Sequence, residues 1–198
     1  MRTFNEALQH RRSYYALRPE SPVSDAQIEE ILRFALRHVP SAYNSQSTRL
    51  VLLLHEQHAD FWKIVASTLQ ARIPADSFAR TREKLERSFA SGYGTVLFYE
   101  DEQVIVRLQA ENPTYADNFP TWAEHTSAMH QLAVWTMLED RGFGASLQHY
   151  NPLIDKAVQQ RWDLPENWRL IAQLPFGVPD ETPAEKSMEP IESRLRIF

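Results

Sequence analysis

Apolar residues in this chain recur with two different periods, and the switches between them mark out helices and strands. Phe4, Ala7 and Leu8 repeat at helical spacing just before Arg11 and Arg12, which puts the arginine pair at a helix end. Ser24 and Gln27 have capping-box spacing, and Ile28, Ile31, Leu32, Ala35 and Leu36 follow on one helical stripe until Pro40 stops it. The run from Arg49 to Leu54 is too short and too continuously apolar for a surface helix, so it predicts a buried strand. From Ala59 to about Ser91 the period is helical again, carried by Phe61, Ile64, Val65 and Leu69 and broken near Pro74. Gly92-Tyr93-Gly94 ends that stretch, and Thr95 to Tyr99 predicts a second buried strand, bounded beyond by Glu100-Asp101-Glu102. A long helix from about Thr121 to Arg141 offers Ala128, Leu132, Trp135, Met137 and Leu138 for contact, and Gly142 stops it. Gly144 to Gln148 opens an extended stretch, and Trp168 to Leu174 reads as another strand. Pro175, Pro179, Pro183 and Pro190 then punctuate a polar tail, which predicts an extended arm able to wrap a second subunit or cover a site. The sum is an α+β protein with long helices.

Composition narrows the class. With 198 residues, 43% hydrophobic and 24% charged, the chain can bury one sizeable core, and no repeat or linker divides it, so residues 1–198 read as a single domain. A formal charge of -5 argues against a broad nucleic-acid surface, so any basic site is local. The absence of cysteine removes disulfides, thiolate metal sites and cysteine nucleophiles. No run approaches a membrane span and the start does not resemble a signal peptide, so the expected location is the cytoplasm.

Two polar clusters carry the candidate chemistry. Arg11, Arg12 and Ser13 place two guanidinium groups beside a hydroxyl, a set that matches phosphate oxygens or the polar edge of a flat ring. Pro40-Ser41-Ala42-Tyr43-Asn44-Ser45-Gln46 lies between a helix and a strand, and its amides both donate and accept. Taken singly, each cluster also reads as a solvated helix end or a turn. Other motifs fall away. His55-Glu56-Gln57-His58 lacks the i, i+4 spacing of a zinc site, and His125 and His130 are likewise off one helical face. Gly142 and Gly144 follow a helix rather than a strand, which rules out a Rossmann loop, and no Gly-x-Ser-x-Gly elbow exists. The charged run Arg80 to Arg87 mixes signs at helical spacing and reads as a solvated face. Trp135, Trp162 and Trp168 read as core or subunit contacts, whereas Trp122, in the proline-bounded segment Phe119-Pro120-Thr121-Trp122, reads as a loop residue able to cover a flat acceptor.

In order along the chain, the Arg11-Arg12-Ser13 segment, the Pro-Ser-x-x-Asn-x-Gln pattern at Pro40 to Gln46, the stretch Trp135 to Pro152 and the closing Pro175-Phe176-Gly177-Val178-Pro179 with Lys186 resemble the nitroreductase family of flavin-dependent oxidoreductases, specifically its shorter fungal and bacterial branch. The resemblance covers nearly the whole chain. It implies a central, mainly antiparallel sheet flanked by helices, assembled as a homodimer with non-covalent FMN at the subunit interface. It also implies that Arg11, Arg12 and Ser13 meet the phosphate, ribityl and pyrimidine parts of FMN, with Lys186 completing the anion site. Ser41, Asn44 and Gln46 would come from the partner, and Gln148, His149 and Tyr150 would approach the ring. His149 is the candidate proton donor, though anchoring to backbone or flavin is an equal role for it.

Two departures stand out. Tyr15 occupies a position where many relatives carry a lysine, and Ser187 and Met188 follow Lys186 where a second basic residue is usual; Arg194 or Arg196 would have to supplement it. The implied chemistry is ping-pong transfer from NADH or NADPH through FMN to a small-molecule acceptor, a nitroaromatic, a quinone or a related compound. The alternative is a flavin-binding redox-regulatory protein with incidental turnover, which the unusual Tyr15 keeps open.

Overall fold

A computed structural model describes residues 2–198. Among the described residues, seven helices and five strands follow in the order α1 (Phe4–His10), β1 (Leu17–Arg18), α2 (Asp25–His38), β2 (Thr48–Leu54), α3 (His55–Gln70), α4 (Ala75–Ser88), β3 (Gly94–Asp101), α5 (Glu102–Glu111), α6 (Phe119–Asp140), β4 (Gly144–Ala145), α7 (Asp155–Trp162) and β5 (Trp168–Pro179). The capping box expected at Ser24 forms: its hydroxyl accepts from the Gln27 amide while the Gln27 side chain accepts from the Ser24 amide at 3.0 Å. Thr3 and Glu6 do the same for α1.

The sheet runs β1-β5-β3-β2, with β4 also on β5, and every strand pair is antiparallel. Leu54, Gly94 and Phe176 stand level at one end, and Thr48, Glu100 and Arg169 at the other. All eight residues of the central strand β3 are buried. Because side chains alternate across a strand, Val96 and Phe98 pack against α2 and α6, and Leu97 and Tyr99 face α3, α4 and α7. Two cores therefore sandwich one sheet, as the α+β reading expects, and a third small cluster joins Ile105 and Leu108 of α5 to Phe119 and Ala123 of α6.

Several details differ from the sequence reading. Glu100 and Asp101 are the last residues of β3, not a polar boundary beyond it, and Glu100 is fully buried. Ser47 and Thr48 hydroxyls donate to its two carboxylate oxygens at 2.5 and 2.6 Å, which compensates the burial. Pro175 and Pro179 belong to β5 rather than to the arm. Proline is tolerated at 175 because the outer edge of β5 is only partly paired there: Gln173 exchanges both backbone bonds with Gln148, while Pro175 offers only its carbonyl, to Ser146. Phe119 opens α6 with Pro120 in its first turn, so Trp122 lies on a helix and not in a loop.

Helix α6 buries Phe119, Ala123, Val134 and Leu138 in the core and several polar residues with them. Thr126, Ser127, His130 and Gln131 are buried, whereas Leu132, expected to make core contact, is 44% exposed beside the exposed Met129. Phe4 and Leu8 of α1 also face outward, leaving Ala7 as that helix's buried residue.

Candidate functional site

The segment after α1 is laid along the sheet's edge by backbone bonds. Ser13 bridges to Ala145, the Tyr14 amide donates to the Ala145 carbonyl at 3.0 Å, and β1 pairs with Val178 and Pro179. This path requires small neighbours: a Cβ on Gly177 would lie 2.5 Å from the Arg18 carbonyl oxygen. Beyond β5 the arm doubles back over the same segment. The Asp180 amide donates to the Ala16 carbonyl at 2.9 Å, and one Glu181 carboxylate oxygen accepts from the Tyr15 and Ala16 amides. Arg12 donates to the Ala184 carbonyl.

Between these two walls lies a cleft of about 550 Å³, with Arg11, Arg12, Ser13 and Tyr15 on one side and Lys186 and Ser187 among the residues opposite. Three cations thus converge, opposed by Glu181 and Glu185 on the same lining. Arg11 stacks its guanidinium 4.3 Å from the centroid of the Trp135 ring, and its Nε is buried with no acceptor. A buried donor without a partner in a cationic cleft is satisfied by an anionic ligand, so these residues fit a phosphate-bearing group such as FMN. Glu139, whose carboxyl is pushed up by burial and partly offset by His10 at 2.6 Å, also acts on Arg11 electrostatically. Arg194 and Arg196 are exposed and absent from the cleft lining.

The second group approaches from the sheet. Gln173, wholly buried, fixes residues 148–151: besides its backbone pairing with Gln148, its Oε1 accepts from the Tyr150 amide at 2.7 Å and its Nε2 donates to Asn151 at 3.0 Å. The sequence reading missed Gln173, although a polar residue inside an otherwise apolar strand is the signal that marks it. Gln148 donates through its side chain to the Ser146 hydroxyl at 3.2 Å. The His149 side chain is exposed. Tyr150 is half-buried, its phenol pushed up to about 12 by burial. Its ring lies 6.4 Å from Phe89, which in turn meets the Tyr15 ring edge-on at 6.4 Å, so an aromatic path joins residue 150 to the cleft.

Ser41, Asn44 and Gln46 are elsewhere. Their turn holds Tyr43, Asn44 and Gln46 at φ of 55°, 50° and 49°, and the Gln46 amide donates to the Ser41 hydroxyl at 3.0 Å. Tyr43 stacks on Trp122 at 5.9 Å and meets Phe119 edge-on, so Trp122 is already engaged. The turn leads into Thr48, whereas Ser13 is level with Phe176 and hence with Leu54 at the opposite end. Six strand steps separate those levels, roughly 20 Å at the usual rise. Within one chain the two polar clusters do not meet.

A helix-flanked antiparallel sheet with an arginine-lined cleft at its edge defines an α+β protein whose cleft residues fit an anionic organic group. The nitroreductase family model matches residues 8–178. The putative nitroreductase HBN1 of Saccharomyces cerevisiae is 35% identical over 198 residues, covering 99% of this chain and 97% of its own. The nitroreductase FRM2 of the same yeast is 37% identical over 183 residues, 91% of this chain and 90% of its own. Nitroreductase CinD from Lactococcus lactis, solved in complex with nicotinic acid, superposes with a TM-score of 0.91 at 40% identity over 99% of this chain and all of its own; the same enzyme has been solved with 4-nitrophenol. The chain belongs to the nitroreductase family and is an oxidoreductase. Flavin-dependent oxidoreduction is the general chemistry of that family.

Proposed function

We propose that the chain works in the cytoplasm as a single-domain, homodimeric, FMN-dependent oxidoreductase, using NADH or NADPH to reduce nitroaromatic, quinone or related acceptors in a ping-pong cycle. The observation that carries this reading is the cleft that joins Arg11, Arg12 and Ser13 to Lys186, residues from opposite parts of the sequence. FMN, when bound, supplies an electron store that a reductant fills and an acceptor empties in turn. Arg11, Arg12 and Lys186 hold the phosphate, with Ser13 beside them on the ribityl side. Tyr15 borders the ring with a neutral phenol. Gln148, His149 and Tyr150 present their backbone to it on a strand edge that Gln173 keeps rigid, and His149, being exposed, is placed to exchange a proton with solvent. Aromatic acceptors suit the open cleft, in line with the 4-nitrophenol complex of CinD.

The dimer reading rests on two features. Phe4, Phe34, Met129 and Leu132 border an almost wholly apolar hollow of about 370 Å³, and the arm exposes Met188, Ile191, Leu195, Ile197 and Phe198. Exposed apolar surface of this extent marks association. The separation of the Ser41 to Gln46 turn from the cleft is the second: those residues serve a flavin only when supplied by a partner.

The test is a flavin titration. The purified protein is expected to take up FMN with fluorescence quenching, and Arg12→Ala is expected to weaken uptake by about 1.5 to 3 kcal/mol, the loss of a charge-assisted bond. Anaerobic NADH or NADPH should bleach the bound flavin, a nitroaromatic or quinone should restore it, and steady-state double-reciprocal plots should run parallel. A protein that binds no FMN overturns the reading.

A further inference from the structure

Helix α4 carries Arg80, Lys84 and Arg87 at i, i+4 and i+7, which puts all three on one face along roughly 10 Å of helix. The sequence reading assigned this run to a solvated face, and Arg80, Lys84 and Arg87 are indeed exposed. In the structure the three residues line a second hollow of about 370 Å³, whose opposite wall includes Tyr15 and Glu181. Those two residues also line the larger cleft, so the hollows share a wall. Both acids of the smaller hollow are engaged: Glu83 accepts from Arg87 at 3.2 Å, and Glu181 accepts from the Tyr15 and Ala16 amides. Elsewhere on α4, Arg82 pairs with Glu86. Arg80 and Lys84 have no carboxylate partner among the described residues. As like charges four residues apart they weaken the helix rather than support it. Lys84, although exposed, carries its Nζ 6.0 Å from the centroid of the Phe89 ring that meets Tyr15 edge-on.

Two unpaired cations one helical turn apart, beside a redox cleft in a chain of net charge -5, match a compact dianion. Building on the reading of the cleft as one reduced by a nicotinamide dinucleotide, we propose that Arg80 and Lys84 receive the 2′-phosphate of NADPH and make NADPH the preferred reductant. The pyrophosphate is common to NADH and NADPH and provides no discrimination. The monoester is the group that distinguishes them, and it carries close to two charges.

The experiment uses the FMN-loaded dimer and measures dissociation constants for NADP⁺ and NAD⁺ by fluorescence quenching at low salt, beside NADPH and NADH bleaching rates. The wild type is expected to bind NADP⁺ roughly tenfold more tightly than NAD⁺. Arg80→Gln with Lys84→Gln should abolish that preference through loss of NADP⁺ affinity, and the exchange Arg80→Lys with Lys84→Arg should restore most of it. Added salt should erode NADP⁺ binding more steeply than NAD⁺ binding. FMN affinity at the wild-type value reports that each variant is folded. Equal affinity of the wild type for the two nucleotides, or a preference that survives the double substitution, overturns the assignment. If the protein binds FMN and is bleached by both nucleotides without preference, this assignment fails and the oxidoreductase reading stands; if neither nucleotide bleaches the bound flavin, the nicotinamide reading itself fails.

Discussion

His58 lies between α3 and the sheet in a chain of hydrogen bonds: Trp62 Nε1 donates to Thr95 Oγ1 at 3.0 Å, the Thr95 hydroxyl donates to His58 Nδ1 at 2.9 Å, and His58 Nε2 donates to the Ala90 carbonyl at 3.2 Å. The backbone carbonyls of Ala90 and Gly94 favour the charged ring, but burial outweighs them. Burial accordingly holds its pKa at about 4 rather than the ordinary 6.5. Between those values the unfolded chain binds a proton that the folded chain refuses, so stability falls as pH falls through that window, by about 3 kcal/mol at the limit. Glu100 and Glu139 act in the opposite sense. Burial raises both carboxyls, so the folded state binds protons more readily and acidification favours it. Comparing wild type with His58→Gln removes their shared contribution. The variant is expected to be less stable at pH 7 yet to lose less on going to pH 4.5, as read by urea midpoints at the two values. At this scale the sequence set His55 and His58 aside as a zinc pair on their spacing. It did not show that His58 is buried, since the acceptor and donor that permit burial come from Ala90 and Thr95, far along the chain.

Among the elements, the long periodic ones were legible and the short ones were not. Helices α2 and α3 and the core of β2, β3 and β5 appear where apolar spacing put them. Strand β1 has two residues and α7 has one buried residue, Val158, so neither offers a period to read. Helix α5 was hidden by the acidic triplet at its start, two members of which end β3. Helix α6 misled for a different reason: besides Val134 and Leu138 in the core it carries Met129 and Leu132 outside it, and periodicity reports a stripe without reporting what covers it. Gly177 provides a test of how β1 is held. A methyl group there would meet the Arg18 carbonyl oxygen at 2.5 Å, backbone that has little room to retreat. Gly177→Ala is expected to cost about 1 to 3 kcal/mol as overpacking and to weaken FMN uptake as well, because β1 carries the continuation of Ser13 to Tyr15. Urea unfolding and flavin titration on the same variant check both halves; full stability with normal uptake would show that β1 does not position the cleft.

For the molecule as a whole, the four motifs were legible in order, and the family resemblance implied the grouping of Lys186 with Arg11 and Arg12 and the supply of Ser41, Asn44 and Gln46 by a partner, while apolar spacing implied neither. The structure joins Lys186 to the arginine pair and leaves Ser41, Asn44 and Gln46 at the other end of the sheet. The proposed dimer reconciles the two. Leu132→Glu, placed on the exposed apolar side of α6, is expected to shift the protein toward monomer in analytical ultracentrifugation, and to weaken FMN binding to the same degree that it dissociates the dimer. Strong FMN binding by a stable monomer would show that one chain suffices. Among the described residues no helix is long and apolar enough to cross a membrane, so the exposed side of α6 is not part of a spanning helix.

The cleft has its first wall at residues 11–15 and its second at 181–187, so a ribosome makes the first well before the second. A ribosome-bound chain has the arginine pair long before it has Glu181 to cap the Tyr15 amide or Lys186 to line the opposite wall. On the reading proposed above, a flavin would be gripped from both sides only once residues 181–187 have been made and laid back over residues 11–15.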